Sequence, residues 1–498
     1  MSAIEISVAG LMSRSGVGFG TSGARGLVAD MTDQVCYVYV CAFLQYLERN
    51  DEIVPGCGVA VACDYRSSSP RIAVACLKAI EDTGYWGEFC GYIPTPAVAF
   101  YGIQKQIPSI MVTGSHIPDD RNGIKFYKTT GEILKHDEGG IKEQRIDLPD
   151  ELFDADGSFS TSLGLPAENP AAREMYVKRY QTFFPSECLS GLSVGIYQHS
   201  SVVRDILPEV IEALGGKAVP LERSEQFVPV DTEAIRTEDI ELARAWVKKQ
   251  NLNSIVSTDG DGDRPLVSDE FGEWLRGDIV GILCARYLDS DIVVTPVSSN
   301  SAVERCGQFR KVLRTRIGSP YVIKAMERAV NEGGINVAGY EANGGFLQAT
   351  EVRVGNRTLA ALPTRDAVLP ILCILATCQE QGKPVSSLVS SMPQRYTHSD
   401  RLKQFPIEIS QSRLSQFEPL SKSERLKMAE QILGGKFGGV VQTDLTDGIR
   451  ITHASGDIVH LRPSGNAPEL RCYTEADTSE RAREINRQCV EMLEGWRA

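Results

Sequence analysis

Three times along this chain a short apolar run breaks off into a glycine-rich polar loop, and this repetition restricts the possible folds more than any other feature. Pro108 to Thr113 leads into Gly114-Ser115-His116-Ile117-Pro118. Ser254-Ile255-Val256-Ser257 leads into Asp259-Gly260-Asp261-Gly262-Asp263-Arg264, and Gly334 to Gly339 leads into Glu341-Ala342-Asn343-Gly344-Gly345. Runs this short, flanked by glycine and proline, read as buried strands. Helical patterns lie between strand-like segments: Pro70 to Asp82, Val202 to Leu214 (closed by Gly215-Gly216) and Glu238 to Gln250. Further strands are expected at 57–64, 192–197, 217–221, 291–296 and 312–316, with a helix around 301–306. The resulting βαβ rhythm, met three times, predicts mixed or largely parallel sheets covered by helices. In such sheets ligand loops lie beyond the carboxyl ends of the strands, which is where all three polar loops fall.

After about Gln394 the rhythm changes to short strands in close succession, at 439–443, 448–452, 457–461 and 470–474, with Asp447-Gly448 as a hairpin signal and a closing helix over 479–496. At 498 residues the chain is too long for a single core. The expected organisation is three similar mixed α/β domains, at 1–160, 161–275 and 276–390, followed by an α+β domain with an antiparallel sheet at 391–498, arranged around a central cleft. The Ser-, Gly- and Pro-rich segment from Ser158 to Asn169 is the expected linker.

Composition narrows the partners. A net charge of −13 disfavours nonspecific nucleic-acid or anionic-membrane binding, while local basic loops still admit an anionic substrate. The 13 cysteines are scattered without C-x-x-C or His-paired zinc spacing, so buried reduced thiols are expected rather than disulfides or a zinc site. No signal pattern opens the chain, and the longest apolar run, Leu369 to Cys378, falls well short of the ~18 residues of a membrane span. A cytoplasmic enzyme is the expectation, as monomer or homodimer.

Asp259, Asp261 and Asp263 alternate with glycines, so a tightly folded backbone can aim hard oxygen ligands at one centre. Oxygen donors without His or Cys favour Mg²⁺. A calcium EF-hand would need a Glu six residues beyond its glycine, where Ser268 stands. Arg264 directly follows these ligands. A serine in a turn is ordinarily a cap, and Ser115 lacks the G-x-S-x-G elbow of a hydrolase because Pro118 follows. Coupled to an Asp loop, however, its hydroxyl becomes a candidate phosphoryl carrier whose phosphate completes the metal's shell, with His116 beside it and Lys125 close by to stabilise charge or move a proton. Gly20-Thr21-Ser22-Gly23-Ala24-Arg25-Gly26 is a further Gly/Ser loop with one arginine. Glu341 offers a carboxylate to sugar hydroxyls, and the loop from Arg462 to Arg471, with Ser464, Gly465 and Asn466, can surround a phosphate dianion. His199, His398 and His453 have no partner spacing and read as structural or surface residues.

In this order and at these separations, the loops resemble those of the α-D-phosphohexomutase superfamily, which includes phosphomannomutases and phosphoglucomutases, from Phe19-Gly20-Thr21-Ser22-Gly23 to the loop at 462–471. The resemblance implies that Ser115 is a phosphoserine sharing Mg²⁺ with Asp259, Asp261 and Asp263, and that Arg25, His116, Lys125 and Arg264 line the transfer centre. It implies that Glu341, Asn343 and Gly344 read the sugar, and that Arg462, Ser464, Gly465, Asn466 and Arg471 hold the phosphate that does not react. A phosphorylated hexose would pass through a bound hexose 1,6-bisphosphate, with mannose phosphates as the expected substrates. Three positions depart from common patterns: Asn343 replaces a Ser, Asn466-Ala467 replaces Thr-Glu, and Arg316-Ile317-Gly318 stands where many phosphomannomutases have Thr-Gly-His. Phosphoglucomutase and phosphoglucosamine mutase activity stay open as alternatives, as does a Mg²⁺-dependent sugar phosphatase using the same metal loop.

Overall fold

Val59 to Cys63 alternate small and branched apolar side chains, and every one is buried, as expected for a strand covered on both faces. In the computed structural model, which describes residues 4–20, 23–149, 151–464 and 468–497, this strand (Gly58–Cys63) lies parallel to Trp86–Phe89 and Ser109–Val112. The sheet continues antiparallel through Arg121–Lys128 to Ala24–Leu27 and Gly18–Phe19, with Gly131–Glu132 also on Arg121–Lys128. Helix Asp33–Arg49 covers one face and is capped by Thr32, whose hydroxyl accepts from Val35 N at 3.3 Å. Helix Ser69–Asp82 starts with a proline in its first turn.

The pattern recurs twice. Ser193–His199 is flanked by parallel Lys217–Arg223 and Ser254–Thr258, with Pro265–Val267 antiparallel at the edge. Ile292–Pro296 is flanked by parallel Lys311–Thr315 and Val337–Tyr340, and Phe346–Gln348 and Leu362–Asp366 extend that sheet antiparallel. Reversal at the edge strands makes all three sheets mixed. The last sheet is wholly antiparallel, in the order Tyr396–Lys403, Glu469–Ala476, Ile458–Pro463, Ile449–His453, Val440–Asp444. Three α/β units followed by an antiparallel α+β unit were expected, and that is the architecture.

Local details differ from expectation. The last sheet gains Tyr396–Lys403 as an edge strand, and helices Ile407–Ser415 and Lys422–Ala429 precede its other strands. Both helices are polar with few buried positions, so their sequences carry little helical periodicity. The Ser158–Asn169 segment has no helix, but it straps onto the first unit: Phe159 N donates to Asp33 Oδ2 at 3.1 Å, Asn169 N to Phe89 O at 2.7 Å, and Leu165 packs on the core. Leu369 to Cys378 lies in the buried helix Val368–Gln381, and among the described residues no helix is long and apolar enough to cross a membrane. All thirteen cysteines are free thiols, ten of them buried.

A single apolar core runs through the first three units, from Ala60 and Tyr101 through Tyr176 and Val203 to Leu372 and Met392. Within it, the Tyr176 and Tyr180 hydroxyls of helix Ala171–Phe183 donate to the two carboxylate oxygens of Asp366, at 2.8 and 2.5 Å. These units therefore share this interior, while each also keeps an apolar cluster of its own. Tyr180→Phe should lower stability by about 1.5–3 kcal/mol, the usual worth of a buried hydrogen bond to a charged partner, measured as an earlier urea midpoint. An unchanged midpoint would mean that this bond does not hold the second unit to the third.

Candidate active site

Ser115 sits just past the strand Ser109–Val112, at φ +58, a left-handed conformation that few non-glycine residues adopt. Its surroundings hold it there. Ser115 N donates to Thr113 Oγ1 at 2.7 Å, and that hydroxyl donates to the buried Asp64 at 2.7 Å. The buried Arg66 guanidinium donates to the carbonyls of Ser115 (2.9 Å), Ile117 (2.5 Å), Pro118 (2.7 Å) and Arg121 (3.0 Å), and pairs with Asp64 at 3.2 Å. Gly114 is required for this: a Cβ there would lie 2.5 Å from Arg66 Cζ. Phe227 covers the outer face of the guanidinium, 4.0 Å from ring centre to Cζ.

The Ser115 hydroxyl donates to Asp259 Oδ2 at 2.6 Å across the boundary between the first two sheets, and His116 Nδ1 lies 3.2 Å from Ser115 Oγ. Gly260 permits this approach, since a Cβ there would come 2.9 Å from the Ser115 carbonyl oxygen. Asp259 Oδ1 meanwhile accepts from Asp263 N and Arg264 N, both at 3.2 Å, which closes the loop on itself. Asp261 is fixed from the first unit by the Thr95 hydroxyl at 2.5 Å. Each aspartate offers a carboxylate oxygen within 4.8 Å of those of the other two, and all three residues are buried. Asp261 Oδ1 and Asp263 Oδ1 have no hydrogen-bond partner.

Burial, and then the charges of Asp261 and Asp263, push the Asp259 carboxyl well above the usual carboxylate range. Against burial, which acts the same way on Asp263, Arg365, Lys125 and Arg264 hold that carboxyl below the range. Clustered carboxylates with orphaned hard oxygens and no nitrogen or sulfur donor fit a divalent cation such as Mg²⁺.

Cations ring the carboxylates. Lys125 Nζ lies 2.6 Å from both Asp261 Oδ2 and Asp263 Oδ2. Arg264 Nε is 3.6 Å from Asp263 Oδ1 and 3.9 Å from Asp259 Oδ2, and it makes no hydrogen bond. Arg25, in register with Gly123 on the neighbouring strand, likewise has an unpaired buried Nε. Burial, followed by Arg264, lowers its guanidinium to about 10. Burial, then Arg264 and Arg25, also pulls the His116 imidazole well below its ordinary value. Unpaired N–H groups beside a serine hydroxyl form a ready site for a phosphoryl group.

In the third loop, Gly344 N donates to Glu341 O at 2.9 Å and Gly345 N to Asn343 Oδ1 at 2.9 Å, so the Asn343 amide oxygen serves the loop's own turn. Thr232 of the second unit donates to Asn343 O at 3.0 Å. Glu341 is buried, with Oε2 3.1 Å from Arg365 Nη1.

On the last sheet, Arg401, Arg471 and Arg462 stand in register on three adjacent strands. Such a row of like charges repels, and Glu469 Oε2, 3.6 Å from both Arg401 Nη1 and Arg471 Nη2, offsets part of that repulsion. Arg462 Nε lies 2.9 Å from Asp447 Oδ2, and Ser464 N donates to Glu469 O at 2.8 Å. Thr21, Ser22, Gly465 and Asn466 lie outside the described residues. Glu233 of the second unit is within electrostatic range of both Arg264 on the metal loop and Arg471 on the last sheet.

The fold thus brings together Ser115, His116, Arg25, Lys125, Arg264 and the three aspartates, with Glu341 joined to them through Arg365. Asp64, Arg66, Arg365 and Arg401 were not singled out from sequence. Arg401 lies on the edge strand Tyr396–Lys403, which the sequence did not announce, and the others have no local motif. His199 Nε2 and His453 Nδ1 each meet a backbone carbonyl, at 2.9 Å in both cases, in structural roles.

The chain matches four family descriptions in succession: phosphoglucomutase/phosphomannomutase alpha/beta/alpha domain I at residues 16–147, domain II at 174–272, domain III at 276–396 and the C-terminal domain at 418–492. It is 44% identical over 473 residues to a phosphomannomutase of Salmonella muenchen, covering 95% of this chain and 94% of that one. The chain belongs to the phosphoglucomutase/phosphomannomutase family. A phosphomannomutase of Sinorhizobium fredii is 43% identical over 95% of this chain and 98% of its own length, and a phosphoglucosamine mutase of Anaeromyxobacter dehalogenans is 27% identical over 94% and 96%. Two solved structures share the family fold. One is a Burkholderia thailandensis phosphoglucomutase/phosphomannomutase family protein (TM-score 0.71, 18% identity, 96% of this chain and 97% of that one). The other is the Paramecium phosphoglucomutase parafusin in an open form (TM-score 0.67, 16% identity, 96% and 94%).

In this family member the serine's position depends on Arg66 fitting over a glycine. Gly114→Ala should therefore reduce turnover by about 100-fold, the effect of a displacement near 1 Å, without removing any charged side chain. Steady-state kinetics beside divalent-cation binding checks this, and parental turnover would show that the Arg66 fit does not govern Ser115.

Proposed function

We propose that this chain is a phosphohexomutase that carries phosphate on Ser115 and interconverts mannose 6-phosphate and mannose 1-phosphate. The observation that carries the reading is the Ser115 hydroxyl at 2.6 Å from Asp259 inside a buried three-carboxylate centre, beside the unpaired guanidinium N–H groups of Arg25 and Arg264. The preference for mannose is supported by the two relatives above 40% identity, both phosphomannomutases. The four sheets correspond, in this proposal, to domains 1–160, 161–275, 276–390 and 391–498.

Asp259, Asp261 and Asp263, with a phosphate oxygen on Ser115, would hold the cation. Bound there, Mg²⁺ supplies positive charge to the phosphoryl oxygens as charge develops on them. Arg25 and Arg264 neutralise the other oxygens of the transferring group. A hydroxyl of the bound hexose phosphate attacks phosphorus, the bond from phosphorus to Ser115 Oγ breaks, and the proton leaving the sugar hydroxyl ends on Ser115. His116 Nδ1 and Lys125 Nζ are placed to pass that proton. The product is a hexose 1,6-bisphosphate, which turns end for end and returns its other phosphate to Ser115. Glu341 accepts hydrogen bonds from sugar hydroxyls in either orientation, and Arg462, Arg471, Arg401 and Ser464 hold the phosphate that is not reacting. Gly465 and Asn466 belong to the same loop in this reading. A site that serves both orientations must recognise charge more than sugar shape.

Isotopically labelled mannose 1-phosphate incubated with the enzyme, Mg²⁺ and a trace of bisphosphate should yield mannose 6-phosphate without release of inorganic phosphate. Net phosphate release would instead make the chain a sugar phosphatase, and faster turnover of glucose or glucosamine phosphates would reassign the sugar. Ser115→Ala should lower turnover by several orders of magnitude and abolish phosphate incorporation into the protein. Wild-type turnover in that variant would remove Ser115 from the chemistry.

The cation has its own signature. Stripping with EDTA should abolish activity, and Mg²⁺ restored at 100 times its Kd should raise stability by about 2.7 kcal/mol through mass action. A melting temperature indifferent to Mg²⁺ would contradict a cation held by the three aspartates.

A further inference from the structure

We infer that Arg365 is a positioning residue that couples the metal loop to the sugar loop, so that occupancy of one sets the geometry of the other. The inference deepens the phosphohexomutase reading and rests on it. Arg365 lies near the end of the strand Leu362–Asp366 and is buried. Its Nη2 and Nε lie 2.9 and 3.1 Å from Asp263 Oδ2. Its Nη1 lies 3.1 Å from Glu341 Oε2 and donates to Ser319 Oγ at 3.1 Å. One planar guanidinium therefore touches the metal loop, the sugar loop and the turn after Arg316, drawn from two units of the chain.

Two features show that the site is built around this side chain. Gly345 gives it room, since a Cβ there would lie 2.7 Å from Arg365 Cδ. The division of oxygens is also specific: Arg365 and Lys125 engage Asp263 Oδ2, while Oδ1 has no hydrogen-bond partner and is left for a cation. Groups that orient a ligating carboxylate through its other oxygen ordinarily govern metal affinity. The opposite end of the guanidinium holds Oε2 of Glu341, which fixes how that carboxylate presents itself to a sugar. Lysine cannot reproduce this, because an ammonium is a point charge without the planar fork.

The test uses the full-length chain in a Ser115→Ala background for cation binding and an intact Ser115 for kinetics. In Arg365→Met, calorimetric titration with Mn²⁺ should show about 10–100-fold weaker binding, and KM for mannose 1-phosphate should rise. Glu341→Gln should raise KM in the parent but add little in Arg365→Met, because the carboxylate has already lost its orientation. Arg365→Lys, which keeps the charge and most of the volume, should retain Mn²⁺ affinity near the parental value yet still raise KM, a split that general loss of packing would not produce. Should Arg365→Met be insoluble, Arg365→Lys alone decides, and parental KM in it overturns the inference. Parental Mn²⁺ affinity in Arg365→Met, or fully additive effects with Glu341→Gln, likewise overturns it. If no hexose phosphate is interconverted by the parent while Arg365→Met still weakens Mn²⁺ binding, the mutase reading fails and the hold of Arg365 on the metal loop stands.

Discussion

Three carboxylates with oxygens within 4.8 Å of one another, all buried, repel strongly, and they persist only where cations are brought to them. Here the cations come from separate parts of the chain: Lys125 from the first sheet, Arg264 from the metal loop itself and Arg365 from the third. Charge balance at the centre therefore requires the first three units to be docked. The shared apolar core and the Tyr176, Tyr180 and Asp366 cluster hold them in that arrangement. Geometry follows from the same need, because a serine that must meet Asp259 at 2.6 Å cannot sit on a wandering loop. Arg66, sealed over Gly114, gives Ser115 a rigid seat.

The last unit has a different relation to the centre. Its antiparallel sheet has its own core, around Leu461, Cys472 and Ile485, and it meets the third unit through polar bonds. Ile317 N donates to Asp447 Oδ2 at 3.0 Å, and Ser301 N donates to Glu475 Oε2 at 3.1 Å. Polar junctions of this kind exchange more easily for water than apolar ones do. The arrangement suits the proposed role of this domain, which grips one phosphate while the sugar turns.

Much of this was legible in the sequence. Strands ending in Ser115, the Asp259 loop and Glu341 announce themselves because buried strands are apolar and their loops are not, and Asp-Gly alternation is unusual outside metal sites. What stayed hidden depends on distance along the chain. Arg66 acts on carbonyls 49 to 55 residues away, and Arg365 reaches Asp263 across 102 residues, so no local spacing marks either one. Arg401 becomes meaningful only when strand register places it beside Arg471. The polar helices at 407–415 and 422–429 lack an apolar stripe long enough to be read, and the Ser158–Asn169 segment has linker composition although its backbone is bonded to the first unit.

The backbone at Ser115 also bears on which amino acid could fill the proposed role of phosphate carrier. Threonine has the same hydroxyl chemistry, but its branched Cβ is poorly tolerated at φ +58, where serine's single substituent still fits. In the proposed role of phosphate carrier, the left-handed backbone at this position therefore selects serine over threonine.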